Sequence, residues 1–152
     1  MEEFSSSPAI AELSEASNPS TGTVEREIID PTKTSSFSLR VNIASVYPLN
    51  IPTKVTLALD NALITEYNTT RELTGENAAV PVPLNAITIP SYNVTIPAGE
   101  READWIFSVD AAKVPNPVTT LYIIPVRITN AENGVIPSGN FGTKLVRILA
   151  HN

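Results

Sequence analysis

Three carboxylates, Glu100, Glu102 and Asp104, fall within five consecutive residues and are the densest chemistry-bearing cluster in the chain. A glycosidase needs two acidic side chains roughly 5–10 Å apart, one to protonate the leaving oxygen and one to attack or to activate water. The intervening residues argue against that use. Ala103, Trp105, Phe107 and Val109 alternate with them, so in a strand Glu102 and Asp104 share the solvated face opposite the apolar one. The single histidine, His151, is penultimate. A Ser-His-Asp triad needs its imidazole held rigidly, and a chain terminus frays. A zinc site would depend on that same histidine, because the chain has no cysteine. Asp60-Asn61 is not followed by the spaced acidic loop of a calcium site and reads as a helix cap. Neither a GxGxxG run nor a Walker loop occurs. The reading is therefore of no catalytic residue, no metal and no cofactor.

Binding chemistry is the remaining class. Sugar rings stack on exposed aromatic faces, because one face of a pyranose presents only C–H groups. Trp105 is the only tryptophan, and its parity with Phe107 and Val109 directs it into a core. Tyr122 shares the parity of Ile124, Val126 and Ile128 and reads the same way. Tyr47, in Val46-Tyr47-Pro48, and Tyr92, just before the next strand, lie at loop ends and are the candidate ligand-binding residues. Asn68-Thr-Thr and Asn93-Val-Thr match the N-glycosylation sequon, a pattern common by chance.

The elements that must position these residues are strands. Thr23–Ile29 is the first, stopped by Asp30-Pro31. Thr34–Ser45 alternates cleanly, with Phe37, Leu39, Val41 and Ile43 on one side and Ser38, Arg40 and Asn42 on the other. Val55, Leu57 and Leu59 form the next inward stripe. Over Asp60–Glu72 the period changes, and Leu63, Ile64 and Tyr67 fall at helical spacing. One short helix, capped by Asp60 or Asn61, is expected across an end of the sandwich. A strand then ends at Ile96, Pro97-Ala98-Gly99-Glu100 turns it, and strands through Trp105, Tyr122–Ile128 and Lys144–Ala150 complete the set. Seven or eight strands with Pro-rich connections predict an all-β, immunoglobulin-like antiparallel sandwich. The expected organisation is a flexible Ser/Glu-rich leader over 1–22, in which Ile10 and Leu13 are the residues able to anchor part, and a β-sandwich domain over 23–152.

At 152 residues the chain suits one domain. Sixteen acidic against ten basic residues, a net of −6, argue against nucleic acid and against a polybasic membrane patch. No apolar run approaches the roughly 20 residues of a membrane helix. Met1-Glu-Glu-Phe lacks the basic and apolar regions of a signal peptide, which fits either a cytoplasmic protein or the mature part of an exported one.

Four segments carry a resemblance. Val55-Thr-Leu-Ala-Leu-Asp60, Ala62-Leu63 with Glu66-Tyr67-Asn68, Val94-Thr-Ile-Pro-Ala-Gly-Glu100 and Tyr122-Ile-Ile-Pro-Val-Arg-Ile128 occur in that order. Over Phe37–Ala150 the chain resembles the N-terminal domain of unknown function of Bacteroidetes surface lipoproteins, whose pattern runs strand, "ALL..YN" helix, "VTIPAG" turn and "YVLPLKI" strand. It departs in the loop after the helix, where Glu72–Pro83 replaces the family's "YELLP". The resemblance implies export to the outer-membrane surface or periplasm of a Gram-negative bacterium. It also implies lipid anchoring through a cysteine absent from this chain, and an adjacent module encoded with polysaccharide-utilisation machinery. The function it implies is a non-catalytic module that spaces or orients a partner module in polysaccharide capture. The rivals are a carbohydrate-binding module and a fimbrial or adhesin-type subunit, which would require Thr23–Ile29 to pair with a neighbouring chain.

Overall fold

The computed structural model describes residues 8–21 and 25–150. Two antiparallel-dominated sheets face each other across one apolar core. The first contains β1 (Ile10–Leu13), β3 (Thr34–Ala44), β8 (Glu102–Asp110) and two-residue edge segments, β6 (Ile87–Thr88) and β10 (Ile136–Pro137), in the order β10-β1-β3-β8-β6. The second runs β2 (Glu25–Ile29), β11 (Thr143–Ala150), β9 (Tyr122–Ala131), β4 (Thr53–Leu59) and β7 (Asn93–Ile96), with β5 (Val80–Pro81) added beside β9. The fold is a β-sandwich with eleven strand segments among the described residues, where seven or eight strands were expected. The extra pieces have plain causes. Pro90, which has no N–H to give a ladder, separates β6 from β7, so β6 joins the first sheet and β7 the second.

Alternation predicted the inner faces. Leu39, Val41 and Ile43 from β3, Trp105, Phe107 and Val109 from β8, Val55 and Leu57 from β4, and Tyr122, Ile124, Val126 and Ile128 from β9 are all buried together. Leu39 pairs with Trp105 and Phe37 with Phe107 across the β3–β8 ladder. The two phenylalanine rings stack at 5.2 Å, and the Trp105 ring leans on Phe107 at the same separation. The Trp105 indole N–H donates to the Ser91 carbonyl at 2.7 Å, so its one polar atom is satisfied. At the far side the Tyr122 hydroxyl donates to the Pro115 carbonyl. The Pro97–Glu100 turn closes with a bond from the Glu100 N–H to the Pro97 carbonyl at 3.0 Å. Its third residue, Gly99, has φ +81°, a conformation glycine adopts without steric penalty.

The segment read as a leader contributes structure. Ile10–Leu13 is a strand with Ala11 and Leu13 fully buried, pairing antiparallel with β3 and parallel with β10. Ser17 then crosses to the second sheet, where its N–H donates to the Thr143 carbonyl and its hydroxyl accepts from the Leu145 N–H. Residues 1–7 and 22–24 lie outside the described residues, so the start of the expected first strand does too. From Glu25 the chain continues as β2, parallel to β11 of the same chain. The strand that the fimbrial reading would pair with a neighbouring chain here lies beside β11 of its own chain.

The helix α1 (Ala62–Thr70) is where the periodicity put it, but it lies on the outer face of the second sheet, not across an end. Leu63, Ile64 and Tyr67 pack on Ile123 of β9 and Leu145 of β11, both fully buried on the side away from the main core. Those two side chains face outward by parity and need a cover. The Asp60 carboxylate accepts from the Ala62 N–H at 3.0 Å, so the expected capping is made by Asp60. Asn61, at the cap position itself, makes no side-chain cap bond.

The register also fixes where the backbone enters and leaves. Ile10 pairs with Ala44 and with Ile136, so residues 8–9 lie at the end that carries loops 45–52 and 132–135. Ala150 pairs with Ile29, just before the turn into Thr34, at the opposite end. The eleven residues of β3 separate the two ends.

Replacing Trp105 by alanine removes a fully buried ring and orphans the Ser91 carbonyl. We expect a loss of about 3–5 kcal/mol in chemical denaturation; a loss under about 1 kcal/mol would mean that the ring is not the core residue described here.

Candidate functional site

An aromatic-walled cleft of about 400 Å³ lies on the β4–β7 side of the second sheet. Ala58 and Leu59 of β4 and Pro125 of β9 form its floor, the Pro81-Val82-Pro83 run and Leu84 one wall, Tyr92 another, and Asn61 a polar corner. Tyr92 is 44% exposed and Leu84 75% exposed. The aromatic wall is braced on both sides. The Ser91 carbonyl is held by the Trp105 indole, and the Tyr92 carbonyl accepts from the Leu57 N–H at 2.8 Å. Beside the floor, the Arg127 guanidinium donates through Nε to Asp60 Oδ2 at 2.7 Å.

The proline wall is fixed by Asn68. Its side-chain amide donates to the Ala79 carbonyl at 2.9 Å and accepts from the Ala79 N–H at 2.7 Å, as a neighbouring strand would. The sequon asparagine is thereby occupied in tying the 72–83 loop to the helix. Asn93, the other, bonds the Thr56 hydroxyl at 2.7 Å.

Tyr47 is 78% exposed but belongs to a different place. It lines a shallow hollow of about 460 Å³ at the entry end, with Pro8, Pro48, Leu49 and Asn133. That loop is rigidly held, because Arg101 donates to the Ser45 carbonyl at 2.8 Å and to the Val46 carbonyl at 3.2 Å. The two candidate tyrosines are exposed as expected, yet they line separate hollows and do not form one platform. Sequence reasoning missed the partners of Tyr92. The signal for them was the Pro81-Val82-Pro83 run beside Leu84, since the fixed φ angles of its prolines stiffen the chain.

The carboxylate cluster has a local explanation. Arg40, on the facing strand, contacts Glu102 at 3.3 Å and Asp104 at 3.3 Å, all three about half exposed. The pair is spanned by a cation on an open sheet face. Among the described residues no three histidine, aspartate or glutamate side chains gather as a metal site would need. His151 lies outside the described residues. In chemical terms the cleft can hold an apolar ring face against Tyr92 and offer the Asn61 amide to a hydroxyl.

A family model described as an "-like, N-terminal domain" matches residues 5–135. Similar solved structures come from Bacteroides ovatus. One, of unknown function, superposes with a TM-score of 0.74 at 14% identity, covering 96% of this chain and 47% of that one. A multidomain protein that includes a domain of unknown function gives 0.73 at 14%, with coverage of 96% and 46%. A proposed carbohydrate binding protein gives 0.67 at 10%, with 92% and 36%. At such identities the likeness establishes the shared fold. The chain spans less than half of each of those three. No curated protein matches it.

Asn68→Ala should destabilise the protein by about 1–3 kcal/mol, since it leaves both backbone polar groups of the buried Ala79 without their partners. Hydrogen exchange should quicken over residues 79–83 before it does elsewhere. Unchanged protection there would show that the wall does not depend on this side chain.

Proposed function

We infer the function of this chain from the premise that it belongs to the "-like, N-terminal domain" family, and from the course of its backbone. We propose a non-catalytic, exported module at the surface or in the periplasm of a Gram-negative bacterium, which spaces or orients a partner module during polysaccharide capture. The observation that carries this reading is the position of residues 8 and 150 at opposite ends of the sandwich. A chain entering at one end and leaving at the other holds whatever adjoins it a full strand length apart. The names of the solved relatives support it further: one is a multidomain protein and another a proposed carbohydrate binding protein. Strand order supports the finer, immunoglobulin-like description. The first strand is split between the sheets as β1 and β2, β1-β3-β8 lie in one, and β11-β9-β4 in the other.

The chain has no cysteine, so a Pro8→Cys/Ala150→Cys variant accepts two spin labels and no others. The spacing reading expects one narrow distance on the order of 35 Å, the length of an eleven-residue strand. A broad distribution, or a mean below about half that length, would sink it.

The cleft favours a second reading, a direct glycan contact by Tyr92. On a glycan array, binding by the wild-type chain that Tyr92→Ala abolishes and Tyr47→Ala spares would establish the cleft. Both substitutions fall on exposed side chains and should leave stability within about 0.5 kcal/mol.

A further inference from the structure

The chain has six arginines, and four of them are engaged. Arg40 holds Glu102 and Asp104. Arg71 donates to the Pro19 carbonyl and covers the Tyr67 ring. Arg101 braces the Tyr47 loop, and Arg127 pairs with Asp60. The other two, Arg26 and Arg147, make no ion pair or hydrogen bond through their side chains among the described residues, and they are registered neighbours on β2 and β11. In a chain of net charge −6, the two uncompensated guanidinium groups therefore sit side by side.

Parity fixes their direction. Leu145 faces the helix on the outer side of the sheet, so Arg147, two residues on, shares that face, and Arg26 opposite does too. The alternating residue Glu27 is directed the other way and lines a hollow with Lys144. Adjacent strands lie only about 4.8 Å apart, a separation at which like charges repel. Arg147 is partly buried, and its Nε is the one buried side-chain polar atom found without a partner among the described residues. Ile28, 61% exposed, and Leu149, half-buried, pair on the same face immediately beyond the arginines.

We propose that Arg26 and Arg147 together bind one oxyanion group, the carboxylate or sulfate ester of an acidic polysaccharide. A carboxylate, or two oxygens of a sulfate ester, accepts paired bonds from the guanidinium groups and relieves the repulsion between them. The Ile28–Leu149 step takes the apolar C–H face of the ring that carries the anion. The polysaccharide as source rests on the capture reading above; the oxyanion chemistry rests on the two arginines alone.

The test is a titration followed through the arginine Nε–H resonances by NMR, with inorganic sulfate, polygalacturonate, chondroitin sulfate and neutral dextran as separate probes. Arg147→Lys assigns the Arg147 signal and keeps the charge while removing the fork. Melting temperatures confirm that each variant is folded. The expected result is a shift of the Arg147 Nε–H signal with sulfate and with both acidic polymers, weakened by salt. Affinity should fall roughly 10- to 100-fold in Arg26→Gln and in Arg147→Lys. Absence of any shift, or binding that both substitutions leave intact, overturns the site. A shift with sulfate and none with the acidic polymers overturns the polysaccharide as its ligand. Binding of neutral dextran that survives both substitutions would leave the capture reading standing and this inference without support.

Discussion

The bond from the Trp105 indole to the Ser91 carbonyl ties the core of this protein to its surface. Burying a tryptophan in a sheet interior requires a partner for its one N–H, and here that partner is a loop carbonyl, not a ladder group. The loop is the one that leaves the first sheet after β6, passes Pro90 and joins the second as β7. Once Ser91 is fixed, Tyr92 has little freedom, because its own carbonyl is held by Leu57. The ring that packs Phe107 inside thus determines where the exposed tyrosine stands outside. Core packing and cleft geometry are one constraint seen from two sides.

What was legible in the sequence was whatever depends on alternation. The inward residues of β3, β8 and β9 followed from period-2 patterning, and so did the outward position of Glu102 and Asp104. The place of the helix did not, although its signal was present. Tyr122-Ile-Ile-Pro-Val is a continuous apolar run, which is how a strand covered on both faces reads. Ile123 lies on the face opposite the core-facing residues, and it is Ile123, with Leu145, that draws the helix onto the outer face. β1 was hidden differently. A four-residue strand whose burial rests on Ala11 and Leu13 has too little apolar content to stand out from a Ser- and Glu-rich stretch. Its pairing with β3 is a tertiary fact that local composition does not encode. Of the candidate site, the exposed tyrosines were legible and their separation into two hollows was not, since no pattern reports which loops meet.

The two outer faces of the sandwich differ in kind. That of the first sheet carries a self-compensated polar cluster, with Arg40 between two carboxylates and Asn42 donating to Glu12, beside the exposed Ile106. That of the second sheet is apolar enough to need a helix. The helix covers the middle, over β9 and β11, and leaves ground on both sides. On the β4 side lies the cleft of Tyr92 and the proline wall; on the β2 side lie Arg26, Arg147 and the Ile28–Leu149 step.

Under the proposed capture reading, that division sets what the outer face offers a ligand. Groups that neutralise one another inside the fold have no unmet bonding to offer an extended polymer. The second sheet's outer face keeps its unmet groups, an aromatic ring and two guanidiniums, apart on either side of one rigid helix. Their positions are set by sheet register and by side chains bonded to backbone, as Asn68 is to Ala79, not by flexible loops. Any ligand spanning both would have to cross the helix. Shorter ligands would occupy one side only, so the two sides can be tested as independent sites, whose effects add when they share no partners.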